Sequence, residues 1–393
     1  MFRQMTMVLA AAGMLYGATA DVDVLRTQAR KALKRARAED SFADLAAAED
    51  AVRQALKIAP DDFETRKMEV ETLLARHRFK EALEKAKSLN QETPDDVPGW
   101  GLVSDAALAL GDYTEAEHSA QWMLNLRSTN VGGLERGARL RELFGDIAGA
   151  REFWESALHL QLTDDEERAR IATRWASLER RSGRASQAEA QLRQVLGSVP
   201  DYQPALAEMA RLRMEQHKYA DAVEILEQRY KKVQRPGVEF ELAGALQLAG
   251  READARRAFQ EFEKAAVAVT DEPYNYNHEL VLYYCDWAPN ASEALRVAKA
   301  EAGRRQDVDT LDALAWALYG VGQTAEARKQ IDKALAVGLK EAPVFYHAGA
   351  IAAKLDDGLA AAKYFNEAMA ADPESAAAGQ AQDALKRLVS HAN

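Results

Sequence analysis

Three short stretches of the sequence follow one pattern: GDYTEA at 111–116, GDIAGA at 145–150 and HKYADA at 217–222. Each begins with a glycine or histidine five residues before an alanine, with an aromatic or apolar residue between them. Glycine readily adopts the left-handed conformation that ends a helix. The pattern therefore predicts a loop that ends one helix and begins another, with the alanine on the second helix.

The alanine recurs along the chain at steps of 34, 34, 34, 38, 34, 33, 39, 33 and 34 residues. We interpret each alanine as the point where two paired helices cross, because a larger side chain there would overpack the crossing by about 1–3 kcal/mol. The two long steps predict longer loops between units, near 163–167 and 268–274. The repeated alanines are Ala48, Ala82, Ala116, Ala150, Ala188, Ala222, Ala255, Ala294, Ala327 and Ala361.

The composition favours helices throughout, since Ala, Leu, Glu, Arg and Lys dominate and the chain has only 10 prolines. In four copies a proline follows the alanine by twelve residues, where it ends the second helix. An all-α fold of helix pairs follows. The prolines are Pro60, Pro94, Pro200 and Pro373.

The stretches DTLDALAWALYGVGQTAEARKQIDKALAVG (309–338) and PVFYHAGAIAAKLDDGLAAAKYFNEAMAADP (343–373) resemble the tetratricopeptide repeat family. The resemblance implies a right-handed superhelical solenoid of about ten helix-turn-helix repeats over 21–374. A final amphipathic stretch within 375–393 predicts a C-terminal capping helix and tail.

The first residues have a different character. Arg3 is followed by an uncharged, apolar stretch, and Ala18-Thr19-Ala20 fits a small-x-small cleavage site before Asp21. We expect residues 1–20 to be a signal peptide that is cleaved after Ala20, which predicts a periplasmic or secreted protein. The alternative is an inner-membrane anchor formed by an uncleaved signal.

No catalytic motif, metal motif or cofactor-binding motif is evident in the sequence, and we predict none. The single cysteine, Cys285, has no adjacent cation to lower its pKa and is interpreted as a buried thiol. A net charge of -11 disfavours nucleic acid as a partner. The basic segment at 26–37 has two interpretations. It is either the solvated face of a terminal helix or a surface that contacts anionic lipid headgroups or an acidic partner.

In the tetratricopeptide family the first helices of the units line a concave groove that binds peptides or partner helices. When this sequence is matched to the positions that face the groove in the family, the middle units contribute arginines to the groove and the C-terminal units contribute aromatic rings. Such residues suit a partner with acidic and apolar side chains, unless they pair with local acids and pack between units. The predicted groove residues are Arg136, Arg139, Arg170, Arg174, Arg211, Tyr283, Trp287, Trp316, Tyr319, Tyr346 and His347.

The sequence thus predicts a non-catalytic scaffold outside the cytoplasm that binds a protein or peptide partner in its groove. One alternative is a helical-toroid hydrolase, which requires an enclosed pocket with two convergent acids. Another is a subunit of an envelope polysaccharide-export or secretion assembly, which differs from the first only in its partner.

Overall fold

The computed structural model describes residues 21–37, 41–160, 162, 164–272 and 274–392. The predicted signal peptide, 1–20, lies outside the described residues. The described chain folds into consecutive pairs of antiparallel helices, numbered here as ten units. The units are α1 (21–37) and α2 (Phe42–Ile58); α3 (Phe63–Ala75) and α4 (Phe79–Glu92); α5 (Val97–Ala109) and α6 (Tyr113–Leu126); α7 (Val131–Leu143) and α8 (Ile147–His159); α9 (Asp165–Arg181) and α10 (Ala185–Ser198); α11 (Gln203–Glu215) and α12 (Tyr219–Lys232); α13 (Pro236–Leu248) and α14 (Glu252–Val267); α15 (Asn277–Leu282) and α16 (Ala291–Ala302); α17 (Val308–Gly320) and α18 (Thr324–Ala336); α19 (Ala342–Lys354) and α20 (Gly358–Ala371).

The repeated alanines lie where the pattern predicts, on the second helix of each unit. All ten are 0 % exposed. The small position on the first helix is equally tight, since a Cβ on Gly349 would lie 2.5 Å from the Phe365 ring. The prediction of paired helices in register with the alanines is confirmed.

The loop inside each unit, called here the intra-unit loop, depends on a left-handed residue. Five glycines at this position have φ between 72° and 77°, as the sequence pattern predicts. Three other units place His77, His217 and Asp356 there, with φ of 57°, 55° and 60°. A non-glycine residue in this region is strained, so these three loops are held by their surroundings. The glycines are Gly111, Gly145, Gly183, Gly250 and Gly322.

The first long step of the alanine series has a different origin from the one predicted. The extra residues lengthen α9 to 17 residues, where most first helices have 13, instead of lengthening the loop. The acidic sequence explains this, because the Asp164 carboxylate caps the helix and Asp165, Glu166 and Glu167 fill its first turn. The second long step does lengthen the linker, from the end of α14 at Val267 to the start of α15 at Asn277.

Unit 8 is the irregular one. Its first helix, α15, passes into a π-helical turn at Tyr283–Trp287, where hydrogen bonds such as Ala288 N–H to the Tyr283 carbonyl replace the α-helical pattern. This unit has Pro289 where other units have glycine, so its first helix cannot end in the usual left-handed loop.

Several first helices pack directly against the next first helix, as α3 does on α5 and α17 on α19, whereas the described second helices pack mainly against their own and the following first helix. The first helices therefore lie on the inner, concave side of the solenoid and the second helices on the outer side.

The curvature brings distant units together through their loops. The His77 ring, in the intra-unit loop of unit 2, lies 4.6 Å from the Tyr274 ring, in the inter-unit loop after unit 7. A Cβ on Gly145, in unit 4, would lie 2.5 Å from the carbonyl oxygen of Gly338, after unit 9. Two further contacts of this kind join Gly111 to Gln306 and Gly183 to Pro373.

We call these four contacts the loop interface. Each joins the intra-unit loop of one unit to the inter-unit loop that follows the fifth unit after it. Side chains reinforce it: Tyr113 and Leu143 pack against buried Leu311 and Leu339, and the Arg181 guanidinium pairs with Glu341. The solenoid is thus held by contacts between distant units as well as by nearest-neighbour packing.

The last helix, α21 (Ala376–Ala392), packs on α19 and α20 and covers the end of the array. Ala378 and Ala381 are buried, and Leu385 and Leu388 pack against the terminal apolar cluster. Among the described helices, none is long and apolar enough to cross a membrane.

Candidate functional site

The concave face is crossed by polar bridges that join one first helix to the next. The Arg136 Nε donates to Asp105 Oδ1 at 3.0 Å, so that α7 is tied to α5. Trp316 Nε1 donates to Asp286 Oδ1 at 3.0 Å, and His347 Nδ1 donates to Asp312 Oδ1 at 2.9 Å. Other bridges of this kind are Lys67–Asp96, Arg170–Glu135, Arg180–Glu208 and Arg211–Glu241.

Three of the predicted arginines are therefore neutralised within the chain. Burial disfavours the charged form of Arg136, but the Asp105 carboxylate outweighs it and raises the pKa of Arg136. The Arg211 guanidinium lies between Glu241 and Glu208, and Glu241 raises the pKa of Arg211 most strongly. The third, Arg170, pairs with Glu135 on the preceding first helix. These arginines hold neighbouring units together.

Arg174 and Arg139 differ from them. Arg174 is exposed on α9, and among the described residues it has no hydrogen-bond or ion-pair partner. The surrounding protein displaces water from the Arg174 guanidinium, and this desolvation lowers its pKa. The positive charge of neighbouring Arg139 lowers the pKa of Arg174 further. Glu208 and Glu142 oppose this shift without forming an ion pair with Arg174 among the described contacts.

Arg139 reaches only Asp105, at 3.8 Å, an oxygen already used by Arg136. The middle of the concave face thus presents two adjacent guanidinium groups, of which Arg139 has one long ion pair and Arg174 has none among the described residues.

The aromatic residues of the C-terminal units form a stacked column. The Trp316 ring lies 4.9 Å from the Tyr319 ring and 4.2 Å from the His347 ring, nearly parallel to both. Both faces of Trp316 are therefore covered, and its N–H is held by Asp286. Burial raises the pKa of the Asp286 carboxyl, whereas the Trp316 hydrogen bond opposes that shift.

The predicted aromatic residues differ in accessibility. Trp287 is 38 % exposed, with one face on the Phe259 ring at 5.1 Å, so its other side is open to a partner. Tyr319 and Tyr346 are half-buried. Tyr283 and His347 are only 6 % and 7 % exposed and pack inside the fold, which removes them as contact residues.

The basic segment 26–37 is largely used by the fold. Four of its six cations pair with acids of the body, including Lys34, whose Nζ reaches Asp164 at the start of the lengthened helix α9. Arg30 and Lys31 are exposed and have no ion-pair partner among the described residues. The other paired cations are Arg26 with Asp62, Arg35 with Asp44, and Arg37 with Glu71.

Other reactive groups offer no catalytic arrangement in the described part of the chain. Burial and the nearby Asp286 charge raise the pKa of the Cys285 thiol to about 12, which makes it a poor nucleophile. Burial and a hydrogen bond with Glu261 raise the pKa of Glu239 to about 7, but two carboxyl groups in direct contact leave no room for a substrate between them. The described residues contain no group of three or more potential metal ligands.

Sequence reasoning missed the carboxylates that complete the bridges, above all Asp105, Glu241 and Asp286. A signal for them exists. Each lies about one repeat length from its partner on a neighbouring first helix, with separations of 30, 31 or 35 residues. Acids and cations at this spacing predict neutralised pairs. The spacing does not find Arg174, because Glu142 and Glu208 lie 32 and 34 residues from it in the sequence and yet form no ion pair with it among the described contacts.

Residues 179–234 match the family model described as "Tetratricopeptide repeat". No curated protein sequence matches the chain. Among solved structures, human IFIT1 in its dimer with PPP-AAAA is 14 % identical, with a TM-score of 0.50 over 84 % of this chain and 79 % of that one.

Two bacterial-type neighbours match shorter parts. PilW, titled a widely conserved type IV pilus biogenesis factor, is 16 % identical over 56 % of this chain and 97 % of its own, with a TM-score of 0.44. A thermophilic tetratricopeptide protein of Thermus thermophilus is 23 % identical over 49 % of this chain and 98 % of its own, with a TM-score of 0.40. The family match over 179–234, the alanine series and the paired helices agree in a tetratricopeptide-type repeat fold, and the last turn of α9 through α12 is the part of the chain that matches the family model.

Proposed function

We propose that this protein is a non-catalytic scaffold whose concave face binds an acidic segment of a partner protein. The tetratricopeptide fold supports the general role, since its first helices offer a continuous inner surface. The observation that carries the specific proposal is Arg174, an exposed guanidinium with no hydrogen-bond or ion-pair partner among the described residues, beside Arg139, whose one ion pair reaches Asp105 at 3.8 Å. Placing two like charges together is unfavourable unless an anion binds between them.

Carboxylates suit this pair because guanidinium groups bind them in a planar, two-bond geometry. Trp287 supplies the apolar part of the same surface, with one open side on the irregular unit 8. The partner segment then carries an acidic residue for the arginines and an apolar residue for the tryptophan. The polar bridges on either side keep the first helices rigid, which lowers the entropic cost of binding.

We also propose that the protein acts outside the cytoplasm after removal of residues 1–20. The charge and cleavage pattern of those residues supports this proposal. Mass spectrometry of the protein from its native host is expected to find an N-terminus at Asp21. Full-length protein starting at Met1 would contradict it.

The groove is tested by photo-crosslinking in the native host, with a benzoylphenylalanine in place of Trp287. We expect one protein adduct in the otherwise wild-type background. Changing both Arg139 and Arg174 to Glu removes two charge-assisted contacts of about 1.5–3 kcal/mol each, so the adduct falls by more than about tenfold.

The matched control is Arg256→Glu on the outer side of α14, where the arginine is 67 % exposed. It reverses one charge without touching the concave face and is expected to leave the adduct unchanged. Equal adduct yield in all three proteins would show that the arginine pair does not bind the partner.

A further inference from the structure

The loop interface follows a rule within the described residues. Units 2 to 5 each place their intra-unit loop on the inter-unit loop after the fifth following unit, and the last such contact joins Gly183 to Pro373. Unit 6 is next in order. No inter-unit loop of the described residues lies on its intra-unit loop.

Unit 6 nevertheless repeats the contact surface of unit 2. In unit 2 the sequence His77-Arg78-Phe79 stacks its two rings at 5.2 Å, and Tyr274 covers His77 from the other side. In unit 6 the sequence His217-Lys218-Tyr219 has the same left-handed histidine, but its ring meets the Tyr219 ring edge-on at 5.7 Å instead of stacking on it. His217 is exposed, and no ring from another unit among the described residues lies on it.

The intra-unit loops of units 6 to 10 therefore form a free edge, which we call the intra-unit edge. A Cβ on Gly250 or Gly322 would meet no described atom within 4 Å. Three large apolar side chains lie along this edge and are unusually exposed. They are Leu248 at 43 %, Leu355 at 39 % and Leu359 at 89 %.

The opposite free edge is formed by the inter-unit loops after units 1 to 3, which we call the inter-unit edge. It too carries exposed apolar residues at helix ends: Ile58 at 43 %, Trp122 at 41 % and Leu126 at 38 %. The Trp122 ring stacks on Trp100, and its N–H is already bonded to His118, so the exposed ring surface has no polar requirement. Exposed apolar groups collected at two edges indicate contact surfaces.

We propose that the intra-unit edge of one molecule docks on the inter-unit edge of a second copy, continuing the loop interface between molecules. The second copy is the occupant because the protein's own fold shows that these two kinds of loop bind each other. In continued register, unit 1 of the second copy follows unit 10 of the first and offers the loop next to Ile58 to His217.

This contact joins two different surfaces, so it leaves one free edge of each kind at the ends of the pair. Head-to-tail contacts of this type extend into open chains unless a rotation closes them into a ring. The capping helix α21 does not prevent it, because α21 covers the end face of unit 10 through contacts with α19 and α20. The inference is independent of what binds in the concave groove.

Sedimentation velocity over a series of protein concentrations tests the proposal. The purified wild-type protein is expected to increase in weight-average mass with concentration, beyond twice the monomer mass. Leu248→Asp with Leu359→Asp blocks the intra-unit edge, and Ile58→Asp with Leu126→Asp blocks the inter-unit edge. Each double variant alone is expected to stay monomeric.

An equal mixture of the two double variants retains one intact edge of each kind and is expected to form heterodimers and nothing larger. Arg193→Gln with Lys329→Gln is the control and should assemble like the wild type, because these side chains are 70 % and 69 % exposed near the middle of the outer helices α10 and α18. Circular dichroism and melting temperature establish that each variant is folded. The proposal is overturned if the wild type stays monomeric, stops at a dimer, or if a folded single-edge variant assembles unaided.

Discussion

The intra-unit loops of units 4 and 9 have nearly the same local structure and opposite surroundings. Gly145 and Gly322 both occupy the left-handed region, with φ of 73° and 77°, at the same place in the repeat. Gly145 lies against the backbone of Gly338 in the loop interface, whereas nothing among the described residues approaches Gly322. The repeat pattern therefore determines the loop conformation, and the curvature of the whole solenoid determines what the loop contacts.

The largest effect is expected from alanine at these two positions. Gly322→Ala costs about 1–2 kcal/mol of unfolding free energy, because the alanine is strained in the left-handed region. Gly145→Ala carries the same strain and adds a clash of its Cβ with the Gly338 carbonyl, which costs a further 1–3 kcal/mol by analogy with an overpacked core, or about 2–5 kcal/mol in all. Chemical denaturation of both variants measures the difference. Equal losses would mean that the loop interface does not form in solution.

A second comparison concerns paired and unpaired arginines on the concave face. Arg211→Gln removes the cation that Glu208 and Glu241 share and should cost about 1–3 kcal/mol of stability, although Glu208 keeps Arg180 and Glu241 keeps Arg229. Arg174→Gln removes a charge that repels Arg139 and should leave the stability unchanged or slightly higher. The same denaturation experiment applies. A clear loss for Arg174→Gln would show that Arg174 has an internal role and would weaken the proposed anion site.

The sequence predicted those features of the fold and of the candidate site that depend on residues close together in the chain. Periodicity predicted the helix pairs, the buried alanines such as Ala150 and the glycine loops, because these depend on neighbours within one repeat. It failed where partners lie far apart in sequence. Whether Arg136 is available to a partner depends on Asp105 of the preceding unit, which neutralises it. The contact of Gly145 with Gly338 depends on small rotations that add up over five units, and no pattern within one repeat encodes that sum.

The pH dependence of stability provides a further test, through a carboxyl group at the end of the loop interface. Burial raises the pKa of Glu215 in unit 6 to about 7, and Asp372, in the last loop before α21, contributes by repulsion. A carboxyl group whose pKa is raised by folding favours the fold below its unfolded pKa of 4.5. That contribution is lost as the pH rises through about 7.

Glu215→Gln keeps a hydrogen-bond acceptor for Arg180 and removes the titration. We expect the variant to gain roughly 2–3 kcal/mol over the wild type between pH 5 and pH 8, since one pKa unit corresponds to about 1.36 kcal/mol. Melting curves across this pH range provide the measurement. A difference between the two proteins that does not change with pH would contradict the assignment.

The smallest effects are expected at the two left-handed histidines. Glycine in place of His217 relieves backbone strain and loses only exposed contacts, so the protein should be stabilised by about 0.5–1 kcal/mol. Glycine in place of His77 relieves the same strain but removes the ring between Phe79 and Tyr274. The lost ring contacts cost about as much free energy as the relieved strain returns. Melting temperatures should therefore rise for His217→Gly and stay level or fall for His77→Gly. A rise of the same size in both would place the two loops in equivalent surroundings.

The central claim is that distant units touch, and a distance between two of them tests it most directly. Spin labels on cysteines at Arg184 and Glu374, in a Cys285→Ala background, flank the contact between Gly183 and Pro373. Dipolar electron spin resonance is expected to give one narrow distribution at the short end of its range. A broad distribution at long distances would show an open solenoid and contradict the loop interface.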